Sequence, residues 1–158
     1  MKKESRGFTL IELIVVFAIL SIVLSIVAVG IPTYQRFIDK SQLKNETRAI
    51  LQSILKARTE AIMDGYTRRI YINDQSGRIY IKRLYYPGDP PAEYRDLAPG
   101  IKITSNTYLG NLNLDLKPIG TVNVGGHITL RSPKGQYMTI VVQIGTGRIY
   151  MKEGMIDD

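Results

Sequence analysis

Glu12 is the only charged residue in an otherwise uncharged, largely apolar stretch, Gly7–Ile31, of this 158-residue chain. An ionised carboxylate inside hydrocarbon costs roughly 2.5–3.5 kcal/mol even on the lenient insertion scale. Either a compensating partner stabilises the charge, or the carboxylate lies shallowly among lipid headgroups. Glu12 is therefore the first residue from which we expect chemistry.

Other side chains that could do chemistry are few and scattered. The chain has no cysteine, which excludes disulfides, thiolate metal sites and cysteine nucleophiles. His127 is the only histidine, and without a second histidine or a cysteine it predicts a strand-edge residue rather than a zinc ligand. No phosphate-binding, dinucleotide-binding or serine-nucleophile motif occurs. We expect no enzyme, no metal and no cofactor.

The element that must position Glu12 is a long apolar segment. From Leu13 to Ile31 no residue is charged, and as a helix this segment spans roughly 28 Å, the thickness of a bilayer core. Basic residues precede it, so the positive-inside rule leaves residues 1–7 in the cytoplasm and places the remainder across the membrane. A secretory signal is usually shorter and ends at a small-residue cleavage site, which is not evident here. A plain signal anchor would leave Glu12 unexplained.

The residues around Glu12 resemble a known signal. A short basic leader ending at Gly7, then Phe8-Thr9-Leu10-Ile11-Glu12 and an apolar helix, is similar to the class III signal of type IV pilins and type II secretion pseudopilins. In that family a prepilin peptidase cuts after the glycine and methylates the new terminus. The resemblance implies cleavage between Gly7 and Phe8 and N-methylation of Phe8. It also implies that Glu12 neutralises the N-terminal amine of a neighbouring subunit during assembly.

A second, amphipathic helical segment continues past Pro32. Small and apolar residues at spacings of three and four predict one face packed on a core: Leu43, Thr47, Ile50, Ile54, Ala57 and Ala61, widened by Leu51, Leu55 and Ile62. The opposite side of the helix carries a polar row: Lys40, Lys44, Arg48, Gln52 and Lys56, with Lys56 near Glu60. We interpret this row as a solvated face in preference to an anion-binding stripe. The helix is expected to end near Asp64–Gly65, where glycine can adopt the left-handed cap.

From Thr67 the apolar period changes to two, which predicts an antiparallel hairpin turning at Gln75-Ser76-Gly77. One face of the hairpin is expected to cover the helix and contains Ile70, Ile72, Ile79 and Ile81. The other face contains Arg69, Tyr71, Arg78, Tyr80 and Lys82. Cations with aromatics are the composition that binds single-stranded nucleic acid. An ordinary solvated sheet face is the preferred interpretation, because no RNA-binding sheet motif is present.

The rest of the chain reads as a loop followed by strands. Residues 85–100, rich in proline and glycine, predict a long loop rather than a strand. Strand-like runs follow: GIKIT, LNLDL, HITLRS, YMTIVVQI and GRIYMK. The Gly147-Arg148-Ile149 sequence, together with the Ala57–Ala61 helix end, resembles the FimT and H-type minor pseudopilin branch. Some FimT-like members bind DNA, which makes Arg148 a candidate contact, but here an acidic tail follows it and disfavours DNA.

These features together predict an α+β, pilin-like fold, with a long N-terminal helix packed against an antiparallel β-sheet head. The predicted segments are a cleaved leader (1–7), a transmembrane or filament-core helix (8–32), an amphipathic helix (33–64) and a β head (65–158). The predicted function is a minor subunit of a type IV pilus or type II secretion pseudopilus, with DNA uptake as the alternative. Predicted partners are the prepilin peptidase, other pilin or pseudopilin subunits, the inner-membrane assembly platform and the lipid bilayer, with DNA under the alternative. The predicted location is the cytoplasmic membrane, single-pass, with the head outside the cytoplasm and then in a filament.

Overall fold

One long helix is followed by short strands. A computed structural model describes residues 9–84, 92–110 and 112–156, except that the side chains of residues 26–31 are not described. Within these ranges the elements are α1 (Leu10–Asp64), β1 (Arg68–Asn73), β2 (Arg78–Arg83), β3 (Glu93–Asp96), β4 (Lys102–Asn106), β5 (Leu114–Leu116), β6 (Gly126–Arg131), β7 (Tyr137–Val142) and β8 (Ile149–Glu153). The chain divides into two compact units, Met1–Ile38 and Asp39–Asp158.

In the first unit, the described residues from Leu10 onward belong to α1, which continues through Pro32. Among the described residues, no helix contains a stretch long and apolar enough to cross a membrane. The predicted leader, residues 1–7, lies outside the described residues, as do the side chains at the end of the predicted span Leu13–Ile31.

In the second unit, the predicted helical stripe is confirmed at its centre. Its six central residues are at most 2% exposed: Leu43, Thr47, Ile50, Ile54, Ala57 and Ala61. The predicted widening is wrong at Leu55 and Ile62, which are 36% and 51% exposed, because only a narrow helical face meets the sheets. The helix ends as expected, with Gly65 in the left-handed region (φ 77°) and its N–H donating to the Ala61 carbonyl at 3.1 Å.

The strands form two antiparallel sheets of four strands each. The first sheet has the order β3-β2-β1-β5, and the second sheet has the order β4-β6-β7-β8. The predicted hairpin is the centre of the first sheet, with Ile70 opposite Ile81 and Ile72 opposite Ile79. Ile70 and Ile79 are buried in the same cluster as Ile54 of α1, so the isoleucine face covers the helix as predicted.

The prediction that residues 85–100 form only a loop is wrong at β3. Glu93–Asp96 pairs with β2 and forms an edge of the first sheet. The strand has only four residues, too few for a visible period of two, and it lies between Pro91 and Pro99. Residues 85–91 of the predicted loop lie outside the described residues.

Polar contacts fix α1 against both sheets. The buried Ser132 hydroxyl, in the β6–β7 turn, donates to the carboxylate of buried Asp39. Arg95 on β3 donates to both carboxylate oxygens of Glu46 at 3.3 Å. Since each contact joins residues far apart in sequence, together they hold the helix in one position on the sheets.

Candidate functional site

The start of α1 is organised around Glu12. The Thr9 N–H and the Thr9 hydroxyl both donate to Glu12 Oε2 at 2.8 Å, and the Glu12 N–H points back to Thr9 Oγ1 at 3.4 Å. This reciprocal arrangement is a capping box, which satisfies N–H groups that the first helical turn leaves without partners. Glu12 therefore has a structural role within the single chain, beside any role in assembly.

A short local pattern would have revealed this contact. Threonine followed three residues later by glutamate is the capping-box sequence, but we expected the partner of Glu12 only from outside the chain. The donors of Thr9 are uncharged, so they do not neutralise a carboxylate charge, which still needs a positive partner in an apolar environment. Gly7 and Phe8, the predicted cleavage and methylation residues, lie outside the described residues.

Apolar side chains beyond Glu12 are exposed on every side of the helix. From Leu10 to Leu24, each large apolar residue is at least 50% exposed. The hydroxyls of Ser21 and Ser25 donate to the carbonyls of Phe17 and Ser21 at 2.8 Å, so these polar groups need no water. A helix that is apolar all round is stable where lipid or other protein surrounds it.

The hairpin brings the five predicted nucleic-acid contacts together. Across β1 and β2, Arg69 pairs with Lys82 and Tyr71 pairs with Tyr80, while Arg78 pairs with Asn73. Because alternate residues of a strand share a face, all five predicted side chains lie on the face opposite α1. We call this the outer face of the first sheet.

Carboxylates from neighbouring strands neutralise two of these cations. Arg69 donates from Nε and NH2 to the two oxygens of Asp115 at 2.6 and 2.7 Å. Arg78 makes the same two-point contact with Asp96, its NH2 donating at 3.1 Å. These hydrogen bonds raise the pKa of both guanidinium groups, and the Arg78 contact lowers the pKa of Asp96. The outer face therefore has less uncompensated positive charge than its arginines suggest.

The structure does not bring Arg148 to this face. Arg148 directly precedes β8, at the edge of the second sheet, whereas the other predicted contacts lie on β1 and β2 of the first sheet. Its guanidinium is exposed and lies 5.3 Å from the centre of the Tyr150 ring. The six predicted DNA contacts therefore do not form one surface on a shared sheet.

Comparisons with known proteins concern the N-terminal segment and the fold. Residues 2–28 match the family model described as the prokaryotic N-terminal methylation motif. No curated protein sequence matches the chain. One structure of the minor pseudopilin EpsH from the type 2 secretion system of Vibrio cholerae aligns with TM-score 0.58 and 15% identity, covering 71% of this chain and 97% of EpsH. A crystal structure of the same pseudopilin aligns with TM-score 0.53 and 17% identity, covering 75% and 99%.

The chain therefore combines a prokaryotic N-terminal methylation motif with a fold similar to that of the minor pseudopilin EpsH. The α+β fold predicted from the sequence is confirmed, since α1 and its antiparallel sheets match the EpsH fold.

His127 lies at the start of β6, where the sequence predicts it, and β6 is an inner strand of the second sheet. The His127 side chain is only 8% exposed. Its Nε2 lies 2.9 Å from the Ser105 hydroxyl, and its Nδ1 lies 3.3 Å from the Thr107 hydroxyl. Among the described residues, no group of three histidine, cysteine, aspartate or glutamate side chains could hold a metal ion.

Proposed function

We propose that this protein is a minor subunit of a type II secretion pseudopilus or a type IV pilus. The observation that carries this proposal is the union of two features in one chain. The N-terminal methylation motif, residues 2–28, includes the first part of α1, and α1 packs on sheets in a fold similar to that of a minor pseudopilin. Filament subunits of this kind need a removable leader, an apolar helix and a folded head, in that order.

Before assembly, the N-terminal helix anchors the subunit in the cytoplasmic membrane. Prepilin peptidase cleaves after Gly7 and methylates Phe8, and Leu13–Ile31 crosses the bilayer once with the head outside the cytoplasm. The exposed apolar side chains from Leu10 to Leu24 support this arrangement, because lipid covers them at no cost in unsatisfied polar groups. Extraction by the inner-membrane assembly platform replaces lipid with the helices of other subunits.

Glu12 provides the electrostatic step of assembly. Cleavage after Gly7 creates a positive amine on Phe8, next to the Thr9 cap. In an apolar filament core, the carboxylate of one subunit is stabilised by the amine of its neighbour. The capping box holds Glu12 Oε2 at the helix start, so the carboxylate is oriented before the neighbour arrives.

The first test is the intact mass of the protein isolated from membranes of its native host. The expected mass is that of residues 8–158 plus one methyl group. A Gly7→Ala variant should keep the full leader while the head remains folded. An uncut or unmethylated wild-type N-terminus would refute the proposal at its first step.

A second measurement separates the charge of Glu12 from its capping role. Glu12→Gln keeps a capping-box residue but removes the charge, whereas Thr9→Ala keeps the charge and removes the cap at about 0.5–2 kcal/mol of helix stability. Filament incorporation, scored by shearing and immunoblotting, should fail for Glu12→Gln and persist for Thr9→Ala. The reverse pattern would show that Glu12 acts only as a helix cap.

DNA uptake, the alternative, has weaker support. The ion pairs of Arg69 and Arg78 with Asp115 and Asp96 remove charge that phosphates would need, and Arg148 lies on the other sheet.

A further inference from the structure

Three tyrosines stand side by side across the outer face of the first sheet. Tyr71 pairs with Tyr80, and Tyr80 pairs with Tyr94 on β3, so the rings occupy one register row across three strands. Neighbouring strands lie about 4.8 Å apart, close to the length of one sugar residue in an extended chain. Tyr71 is 37% exposed and Tyr94 is 66% exposed. We call these three residues the tyrosine row.

Ion pairs flank the tyrosine row on both sides. Arg69 with Asp115 lies in the register row on one side, and Arg78 with Asp96 lies in the row on the other. Each arginine uses only part of its five N–H donors in its ion pair, and Lys82 lies opposite Arg69 in the first of these rows. The Arg78 guanidinium also lies 5.1 Å from the centre of the Tyr94 ring and holds that ring in place.

A shallow cavity of about 460 Å³ continues the tyrosine row at its β1 end. Its lining residues include Tyr71, Tyr80, Asn73, Asp74, Gln75 and the exposed Leu109. This volume lies within the range of small-molecule sites, and the lining combines aromatic surface with amide hydrogen-bonding groups.

We propose that the tyrosine row binds an uncharged oligosaccharide. Sugar rings with equatorial substituents, as in β-1,4-linked N-acetylglucosamine, have flat C–H faces and hydroxyl or amide edges. The C–H faces pack on tyrosine rings, and the edges meet the amides of Asn73 and Gln75 and the neutral ion pairs. A nucleic acid would instead require uncompensated cations along its backbone, and here carboxylates hold two of the arginines.

The test is calorimetric titration of the full-length protein with chitohexaose, in micelles of a polyoxyethylene detergent, which lacks a competing sugar headgroup. Tyr94→Ala and Tyr71→Ala should each weaken binding about tenfold, the contribution of roughly one ring contact. Tyr94→Phe should retain most of the affinity, because the ring remains. Tyr34→Ala is the matched control: it removes a tyrosine that is also 66% exposed but lies on α1 in the other compact unit, and binding should not change.

Salt dependence distinguishes the oligosaccharide from a polyanion. Chitohexaose affinity should hardly change as the salt concentration rises, since no counterions are released. Absence of binding to chitohexaose, or equal losses in Tyr94→Ala and Tyr34→Ala, would overturn the proposal. So would binding of a thymidine oligonucleotide in place of chitohexaose, with a steep salt dependence. These outcomes leave the filament proposal unaffected, because it depends on the N-terminal helix.

Discussion

Asp64 joins the last turn of α1 to the first sheet. Its two oxygens accept hydrogen bonds from Arg68 NH1 at 3.0 Å and NH2 at 2.8 Å, and the Arg83 NH2 lies 3.1 Å from Oδ2. The hydrogen bonds from Arg68 lower the pKa of Asp64 from 3.8 to about 2. Arg68 itself has a side chain only 7% exposed, so it depends on Asp64 and Glu60 for compensation of its charge.

This pKa shift predicts a specific acid sensitivity. A carboxyl group with a lowered folded-state pKa stabilises the fold above its unfolded pKa, and this stabilisation disappears as the pH falls toward the folded value. The free energy of unfolding should therefore decrease between about pH 4 and pH 2 more steeply in the wild type than in Asp64→Asn. Urea unfolding of the full chain in micelles at several pH values measures this difference. Parallel pH profiles for the two proteins would contradict it.

At the scale of elements, α1 shows how strictly helical geometry divides adjacent residues. Ile54 is fully buried in the core between α1 and the strands, whereas its neighbour Leu55 is 36% exposed. Successive residues of a helix point in directions about 100° apart, so two similar aliphatic side chains have different surroundings. How much a branched aliphatic residue of this helix stabilises the fold thus depends on the helical face on which it lies and not on its hydrophobicity.

The pair Ile54 and Leu55 tests this division with nearly the same chemical change. Ile54→Ala removes fully buried atoms and leaves a cavity, so it should reduce the free energy of unfolding by about 2–5 kcal/mol. Leu55→Ala should cost less than about 1 kcal/mol. Urea denaturation of both variants provides the comparison. Similar losses would mean that α1 presents a different face to the sheets.

For the whole molecule, two turns that are distant in sequence meet at the end of the helix. Arg58 Nε donates to the Gly120 carbonyl at 2.8 Å, which holds the β5–β6 connection against α1. A Cβ added at Gly147, in the β7–β8 turn, would lie 2.5 Å from the Gly120 oxygen and 3.2 Å from Arg58 NH2. The absence of a side chain at Gly147 is thus required by long-range packing as well as by its positive φ of 60°.

Gly145 offers a control for this close approach. Its φ is also positive, at 84°, but a Cβ there would meet nothing within 4 Å. Gly145→Ala should therefore cost only the left-handed conformation, roughly 1–2 kcal/mol. Gly147→Ala should cost roughly 2–5 kcal/mol, because a backbone clash is added. Thermal unfolding of the two variants measures the difference. Equal losses of unfolding free energy would show that Gly147 does not pack closely against Gly120.

Local patterns in the sequence determined the helix, its end, the hairpin and the N-terminal motif. Each depends on residues within a few positions of one another: the 3.6-residue stripe around Ile54, the left-handed glycine at Gly65 and the alternation around Ile70 and Ile79. The shared outer face could be predicted for the same reason, since strand alternation alone places Arg69 and Tyr71 together.

Tertiary structure alone decided which charges remain available and where short strands pair. Asp115 lies 46 residues from Arg69, and β3 has too few residues to show a period, so neither the ion pair nor the third tyrosine of the row could be deduced locally. The contacts of His127 are also distant in sequence, since its ring lies against the hydroxyls of Ser105 and Thr107, 22 and 20 residues away. Periodicity specifies the direction of a side chain, whereas its partner depends on contacts between distant segments, which form only when the whole chain has folded.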